Sequence, residues 1–472
     1  MGWCRNVEPP WKSQVVLLTA VAGAGKSTVA HTIAHQCTEH GILLSTFFFR
    51  ARETASPDHL WSGVARSLAI RSESHRAILT TILENDPTIA TAAFDEQFSR
   101  LVLESLCRLP PPDNAPLIII IDALDECDEG ASETLAKLLR DKVPMLPRTV
   151  KIFVTSRHTR VVDNYLLKSS SIQVLNINLL DNENLQDCEV YIRSQVSELK
   201  GLRPAADWSP DLQQRLSERA HGLFVWVSTV MDYVKNKSVN PLVALEALME
   251  GTSRDNVPAE ENLDALYTAI LKKCNWRDPA FKHNYPIVMD AVLAAKLPLS
   301  MDVWDALLSP LLFRKTSVED TLSELRPLFT GTDRRSTPIQ LLHQSFGDYL
   351  KWRITKYIRL ELGPVMSQEW LALRCFQVIN TEIQEDTALG IIERLGERDL
   401  MPTISRGDVS QQLAYACHFG LDHALEAKDV SKAFKMEIKK FLEGSIIRWL
   451  EFCVRTKRYI SIYPFFDWIE VG

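Results

Sequence analysis

Apolar residues in the first part of this chain cluster in short runs at 14–21, 43–49, 117–121, 150–155 and 172–175. Such runs, rich in Val, Ile and Leu and without polar alternation, predict strands buried on both faces. Between them the period changes. Val29, Ala30, Ile33, Ala34 and Cys37 share one helical face, as do Phe94, Phe98, Leu101, Val102, Leu106 and Leu109. Strands alternating with helices imply an α/β domain with a mainly parallel sheet. After about residue 180 the pattern becomes helical. Leu223, Trp226, Val227, Val230, Met231 and Val234 trace one stripe, and Leu263, Leu266, Tyr267, Ile270, Leu271 and Cys274 another, with a polar loop predicted at 251–261 between them. Residues 285–350 read as helix, helix, helix, hairpin, helix, the hairpin running from 328–330 through polar 331–336 to 339–342. The rest reads as helical, without repeats or low-complexity segments.

Length and composition narrow this picture. At roughly 100–200 residues per domain, 472 residues suggest about three domains. With 46% apolar and 24% charged residues, the chain can bury several cores and is not a disordered polymer. The 53 basic against 60 acidic residues leave a net charge of -7, which argues against a dedicated binder of nucleic acid or anionic membrane. No run approaches the ~18 apolar residues of a membrane span, and residues 1–6 lack a secretory pattern, so a cytoplasmic location is expected. Met1-Gly2 raises myristoylation, but Asn6 stands where Ser or Thr is favoured. The nine cysteines form no Cys-x-x-Cys pair and read as reduced thiols of an intracellular protein.

The strongest chemical signal is Ala20-Val21-Ala22-Gly23-Ala24-Gly25-Lys26-Ser27-Thr28, placed between a predicted strand and a predicted helix. Small residues let backbone N–H groups curl around a phosphate, and the helix points its positive end at the same anion. Ala22, Gly23, Ala24, Gly25 and Thr28 supply the cradle, Lys26 a full charge near the β/γ-phosphates, and Ser27 a hydroxyl for Mg²⁺. Ala20 replaces the motif's first glycine, which is tolerable if its φ stays negative. The second signal is an apolar strand ending in Asp122, followed by Asp125 and Glu126. Asp122 can hold Mg²⁺ through its water, and Asp125 or Glu126 can orient or deprotonate an attacking water. The third is Val154-Thr155-Ser156-Arg157, a strand ending in polar residues, with Arg157 able to supply charge to a transferring phosphoryl group. His31 and His35 have helical zinc-site spacing, but Thr32 stands where a zinc hydrolase carries Glu.

Taken together, A-G-A-G-K-S-T, I-D-A-L-D-E-C-D-E and V-T-S-R resemble the NACHT family of STAND signalling NTPases, most of all fungal heterokaryon-incompatibility-like members. Supporting segments are Phe47-Phe48-Phe49-Arg50, Phe94-Asp95-Glu96-Gln97-Phe98, Gly222-Leu223-Phe224-Val225-Trp226, Leu263-Asp264-Ala265-Leu266-Tyr267, the Leu341–Leu350 stretch and Tyr415-Ala416-Cys417-His418. The resemblance implies an α/β P-loop NTPase domain with a parallel sheet (1–178), an all-α lid (179–278), a winged helix (279–355) and a C-terminal helical region (356–472). It implies a switch that ADP closes and ATP opens for self-oligomerisation, with His343 touching the diphosphate. Gly222-Leu223-Phe224 stands where many relatives carry Gly-x-Pro against the base.

The expected ligands are therefore Mg²⁺ and ATP or ADP, with GTP open because some fungal relatives are thought to use it. The expected partners are nucleotide, further copies of the chain and unidentified proteins, with no nucleic acid and no membrane span. Two alternatives stand beside the switch. One is a turnover P-loop ATPase or kinase acting on a separate substrate. The other is a truncated nucleotide-binding scaffold, since the loop begins about 20 residues in and no sensor repeats follow. DNA binding through a winged helix is disfavoured by Glu319, Asp320 and Glu324, which Arg334 and Arg335 are not expected to offset.

Overall fold

The computed structural model describes residues 2–5, 13–50, 57–111, 116–202, 210–235, 241–251, 258–353, 368–386, 388–391, 401–405, 407–427, 430–457, 462, 465, 466 and 468. Met1, Asn6, Asn236, Tyr459 and Tyr463 lie outside the described residues. The chain forms two compact units, Met1–Leu266 and Tyr267–Gly472.

In the first unit the five apolar runs are strands: β1 (Val15–Thr19), β2 (Leu43–Phe48), β3 (Leu117–Asp122), β4 (Val150–Ser156) and β5 (Ile172–Asn176). They build one parallel sheet in the order β2-β3-β4-β1-β5. The strand carrying the acids is therefore not the neighbour of the strand carrying the loop, because β4 lies between them. Successive side chains alternate faces. Val16, Leu18, Ile118, Ile120 and Phe153 pack with Ala30 and Cys37 of the helix Lys26–Glu39. Val15, Leu17, Ile119, Ile121, Ile152 and Val154 pack on the other face with Trp61, Val64, Phe98, Leu135 and Leu139. β1, β3 and β4 are buried on both faces, which is why they largely lack polar alternation, while β2 and β5 at the sheet edges are partly exposed.

The helical run that follows contains Asn182–Leu202, Pro210–Ala220, Phe224–Lys235, Pro241–Gly251 and Ala259–Lys272. Of the loop predicted at 251–261, residues 252–257 lie outside the described residues, while Gly251 ends one helix and Ala259 begins the next. In Phe224–Lys235 almost every residue is buried, including Trp226, Val227, Val230 and Met231.

In the second unit the helices Pro279–Ala294, Met301–Leu308 and Val318–Ser323 precede an antiparallel pair, β6 (Phe329–Thr330) and β7 (Gln340–Leu341), and the short helix Gln344–Asp348. Arg335, in the connection between these strands, pairs with Asp302 at 2.9 Å, with Glu319 at 2.7 Å and with Asp305. This corrects one expectation: Glu319 is offset by the hairpin arginine, so the charge argument against a nucleic-acid partner loses part of its basis. Beyond this lie Gln368–Glu385, Gln411–Glu426, Lys432–Lys440 and Ile446–Arg455. Of the C-terminal aromatics, Trp449, Phe452 and Phe465 are buried and Trp468 stacks on Phe465. All nine cysteines are free thiols, and seven of them are buried. No helix among the described residues is long and apolar enough to cross a membrane.

Candidate phosphate-binding site

The site is built where β1 ends. Thr19 closes the strand and Lys26 opens the next helix, so the intervening residues form a tight loop at the carboxyl end of a central strand. Gly23 and Gly25 adopt left-handed φ of 79° and 88°, which side-chain-bearing residues rarely adopt. Ala20 does not share that conformation, so alanine is tolerated in place of the motif's first glycine. The helix N-cap is Gly25 and makes no side-chain capping bond. The first-turn N–H groups are thus left for another acceptor, the arrangement that attracts an anion.

Lys26 folds back over this loop. Its Nζ donates to the carbonyls of Ala20 at 3.0 Å and Val21 at 2.9 Å. Burial pushes its pKa down to about 8, helped by the charge of Arg157 and opposed by Asp125, Asp122 and Glu126. The ammonium thus rests on neutral carbonyls at the start of the helix, where a phosphate would be a better partner. Ser27 and Thr28 are exposed on the first turn. Ala22 and Ala24 are buried beneath the loop.

The acids arrive from β3. Asp122, 4% exposed, continues the face of Ile118 and Ile120, the face that carries the loop helix. Thr155 continues the face of Phe153 and donates its hydroxyl to Asp122 Oδ1, while the N–H of Ala123 donates to Thr155 Oγ1 at 2.9 Å. Ala123 sits at φ 58°, a left-handed turn for which a small residue is least costly. Asp125 and Glu126 follow in a short 3-10 turn. Both oxygens of Asp125 are engaged by Arg157, one by Nε at 2.9 Å and one by the backbone N–H at 3.0 Å. Ser156 belongs to the opposite face with Val154 and is fully buried. Of the polar strand end, Thr155 and Arg157 meet the acids and Ser156 does not.

Sequence reasoning missed one contact. The turn before the helix Phe224–Lys235 lies on the loop. Val225 N–H donates to Gly23 O at 3.4 Å, a Cβ on Gly23 would collide with the Val225 side chain, and Phe224 lies in van der Waals range of a Cβ on Gly25. The available signal was the Gly222-Leu223-Phe224-Val225-Trp226 segment itself. Its position on the loop depends on chain folding about 200 residues away. His343 belongs to the second unit and caps the helix Gln344–Asp348. Its Nδ1 accepts from Ser345 N–H at 3.1 Å, which leaves the ring proton on Nε2. His31 stacks on Phe48 and His35 pairs with Glu39 at 3.6 Å.

A phosphate loop after β1, an acid ending β3 and a polar end of the intervening β4 together define a P-loop NTPase-type nucleotide-binding domain. The residues also suit a magnesium nucleotide. Ser27 would ligate the ion and Asp122 would hold it through water, and the ion would neutralise phosphate charge.

The family model described as "Nephrocystin 3, N-terminal" matches residues 3–157, which spans the loop, the acids and Arg157. No curated protein matches the chain. Among solved structures, Cdc6p from Pyrobaculum aerophilum is 13% identical, with a TM-score of 0.31 over 77% of this chain and 91% of that one. Drosophila ORC bound to DNA is 13% identical, with a TM-score of 0.29 over 74% and 91%. RuvB from Thermotoga maritima is 14% identical, with a TM-score of 0.26 over 72% and 87%. Similarity at this level carries no functional argument.

Proposed function

We propose that this protein is a nucleotide-controlled switch of the NACHT type, which binds ATP or ADP with Mg²⁺ (GTP remaining an alternative), hydrolyses it slowly and uses the exchange to control opening and self-assembly. The observation that carries this reading is the contact of the Gly222–Val225 turn with the phosphate loop. A helical element resting on the loop ties its own position to what the loop holds. In this reading residues 179–278 are the lid, 279–355 a winged helix whose His343 senses the diphosphate, and 356–472 a helical adaptor. The switch acts in the cytoplasm, and the resemblance of its motifs to those of fungal incompatibility proteins supports a role in self/non-self or defence signalling.

Slow hydrolysis follows from the acids. Asp125 spends its carboxylate on Arg157, so Arg157 reaches a phosphoryl group only by loosening that ion pair, and the attacking water is oriented by Asp125 or Glu126. Moving a two-state equilibrium from 1:99 to 99:1 takes about 5.5 kcal/mol of differential binding. A γ-phosphate meeting Mg²⁺, Lys26 and Arg157 is the group that distinguishes ATP from ADP.

The test is hydrodynamic size with ADP and with a non-hydrolysable ATP analogue. Larger species with the analogue alone support the switch. The same elution with both, or rapid hydrolysis at a rate independent of protein concentration, speaks for a turnover enzyme or a passive scaffold.

A further inference from the structure

The turn that touches the phosphate loop is itself held by one side chain. Asn184, half-buried in the first turn of the helix Asn182–Leu202, donates its Nδ2 to two carbonyls at once, that of Leu179 at 2.9 Å and that of Gly222 at 3.1 Å. Leu179 lies in the connection that leaves β5, and Gly222 begins the turn that reaches Gly23. The two backbones approach so closely at this clip that a Cβ on Gly222 would overlap both Leu179 O and the Asn184 amide. Gly222 has φ of 74° and His221 before it φ of 47°, so two consecutive left-handed residues aim the segment. A sharply strained turn keeps one shape only where its surroundings over-determine it. Here they are the Asn184 amide on one side and the loop on the other.

The consequence reaches the anion site through one peptide plane. In a trans peptide the C=O of one residue and the N–H of the next point in opposite directions. Val225 N–H holds the Gly23 carbonyl towards the lid turn. The N–H of Ala24 is thereby turned away from the lid, available as a donor to a phosphate in the loop. Displacing the turn releases that carbonyl and lets the peptide rotate.

We propose that Asn184 is a positioning residue for the nucleotide: by clipping Leu179 to Gly222 it holds Val225 on Gly23, fixes the donor geometry of the loop and sets how fast bound nucleotide leaves. This rests on the phosphate-site reading above. Asn184 does not touch the ligand, so its removal affects retention and not the charge that attracts phosphate.

The experiment uses the full chain loaded with a fluorescent ADP analogue and chased with excess ADP. Asn184→Ala and the near-isosteric Asn184→Asp, which keeps the packing but cannot donate, both speed release about tenfold, the factor set by one or two lost hydrogen bonds. Their association rates stay near wild type and their nucleotide-free melting midpoints fall no further than one or two lost hydrogen bonds account for, which separates positioning from general loosening. Lys26→Ala abolishes loading. If Asn184→Asp releases the analogue at the wild-type rate while Lys26→Ala still abolishes loading, the clip is overturned and the phosphate site stands. If wild-type protein takes up no analogue, the phosphate-site reading fails and this inference fails with it.

Discussion

Lys26 carries the sharpest residue-scale prediction. Its pKa is depressed to about 8, chiefly by burial. Below that value the side chain is already charged and nucleotide affinity is flat with pH. Above it, binding an anion must take up a proton, so affinity falls by up to about tenfold per pH unit until the higher pKa of the bound state limits the effect. Folding carries the opposite sign, because stability rises with pH across the same window. The cost of burying the ammonium is fully present below about pH 8 and is relieved as pH rises towards the ordinary lysine value of about 10.4. Titration calorimetry from pH 7 to 9.5 checks the first point, and an affinity that is flat or rising across that range counts against it. The Asp125–Arg157 pair gives a second prediction. Asp125→Asn leaves Arg157 without its carboxylate, so nucleotide binding persists while single-turnover hydrolysis changes. Glu126→Gln lowers hydrolysis by about 10²-fold or more without weakening binding. Equal losses in the two variants would show that neither acid has a separate role. The Gly25-Lys26-Ser27 core was legible from sequence because a phosphate loop is contiguous and must be glycine-rich. The pairing of Asp125 with Arg157 was not, because it depends on β3 and β4 being neighbours.

At the scale of elements, the five strands could be read to within a residue or two, because the central strands β1, β3 and β4 are buried at every position and the edge strands β2 and β5 still open on apolar residues. The helices Leu60–Arg71 and Glu73–Asn85 were not predicted, since Ser62, Gly63 and Arg66 in one and Thr80, Thr81 and Glu84 in the other blur their stripes. The lid turn was visible as a motif and silent about its target. Its contact with the loop predicts coupling. Gly23→Ala places a methyl against Val225 and strains φ, so it destabilises the protein by about 1–3 kcal/mol and weakens nucleotide retention. Val225→Ala relieves the overlap, and the double variant therefore recovers part of the loss. Strict additivity in the melting midpoints would deny the contact. In the second unit, Arg335→Ala leaves Asp302, Asp305 and Glu319 facing one another at the hairpin. Because the side chain is 41% exposed, the loss is about 1 kcal/mol, and it shrinks as salt is raised. A loss insensitive to salt would point to packing instead of charge.

For the whole molecule, composition spoke for several buried cores but did not divide the chain. The division at Leu266 and Tyr267 falls inside the helix Ala259–Lys272, where no break in the apolar stripe marks it. A boundary inside a continuous helix has no signature in hydrophobic pattern, because helix period reports the local face and not which unit the face packs on. The phosphate loop, the acids, Arg157 and the lid turn all belong to the first unit, so nucleotide binding is predicted to be a property of residues 1–266. His343 belongs to the second unit, so the response to nucleotide is predicted to require the full chain. The central claim is that the loop after β1 holds a nucleotide. It is tested most directly by denaturing the purified protein and identifying what it releases. Wild-type protein is predicted to yield adenine nucleotide near one per chain, with guanine nucleotide as the alternative, and Lys26→Ala to yield close to none. Nucleotide retained unchanged by Lys26→Ala would contradict the account.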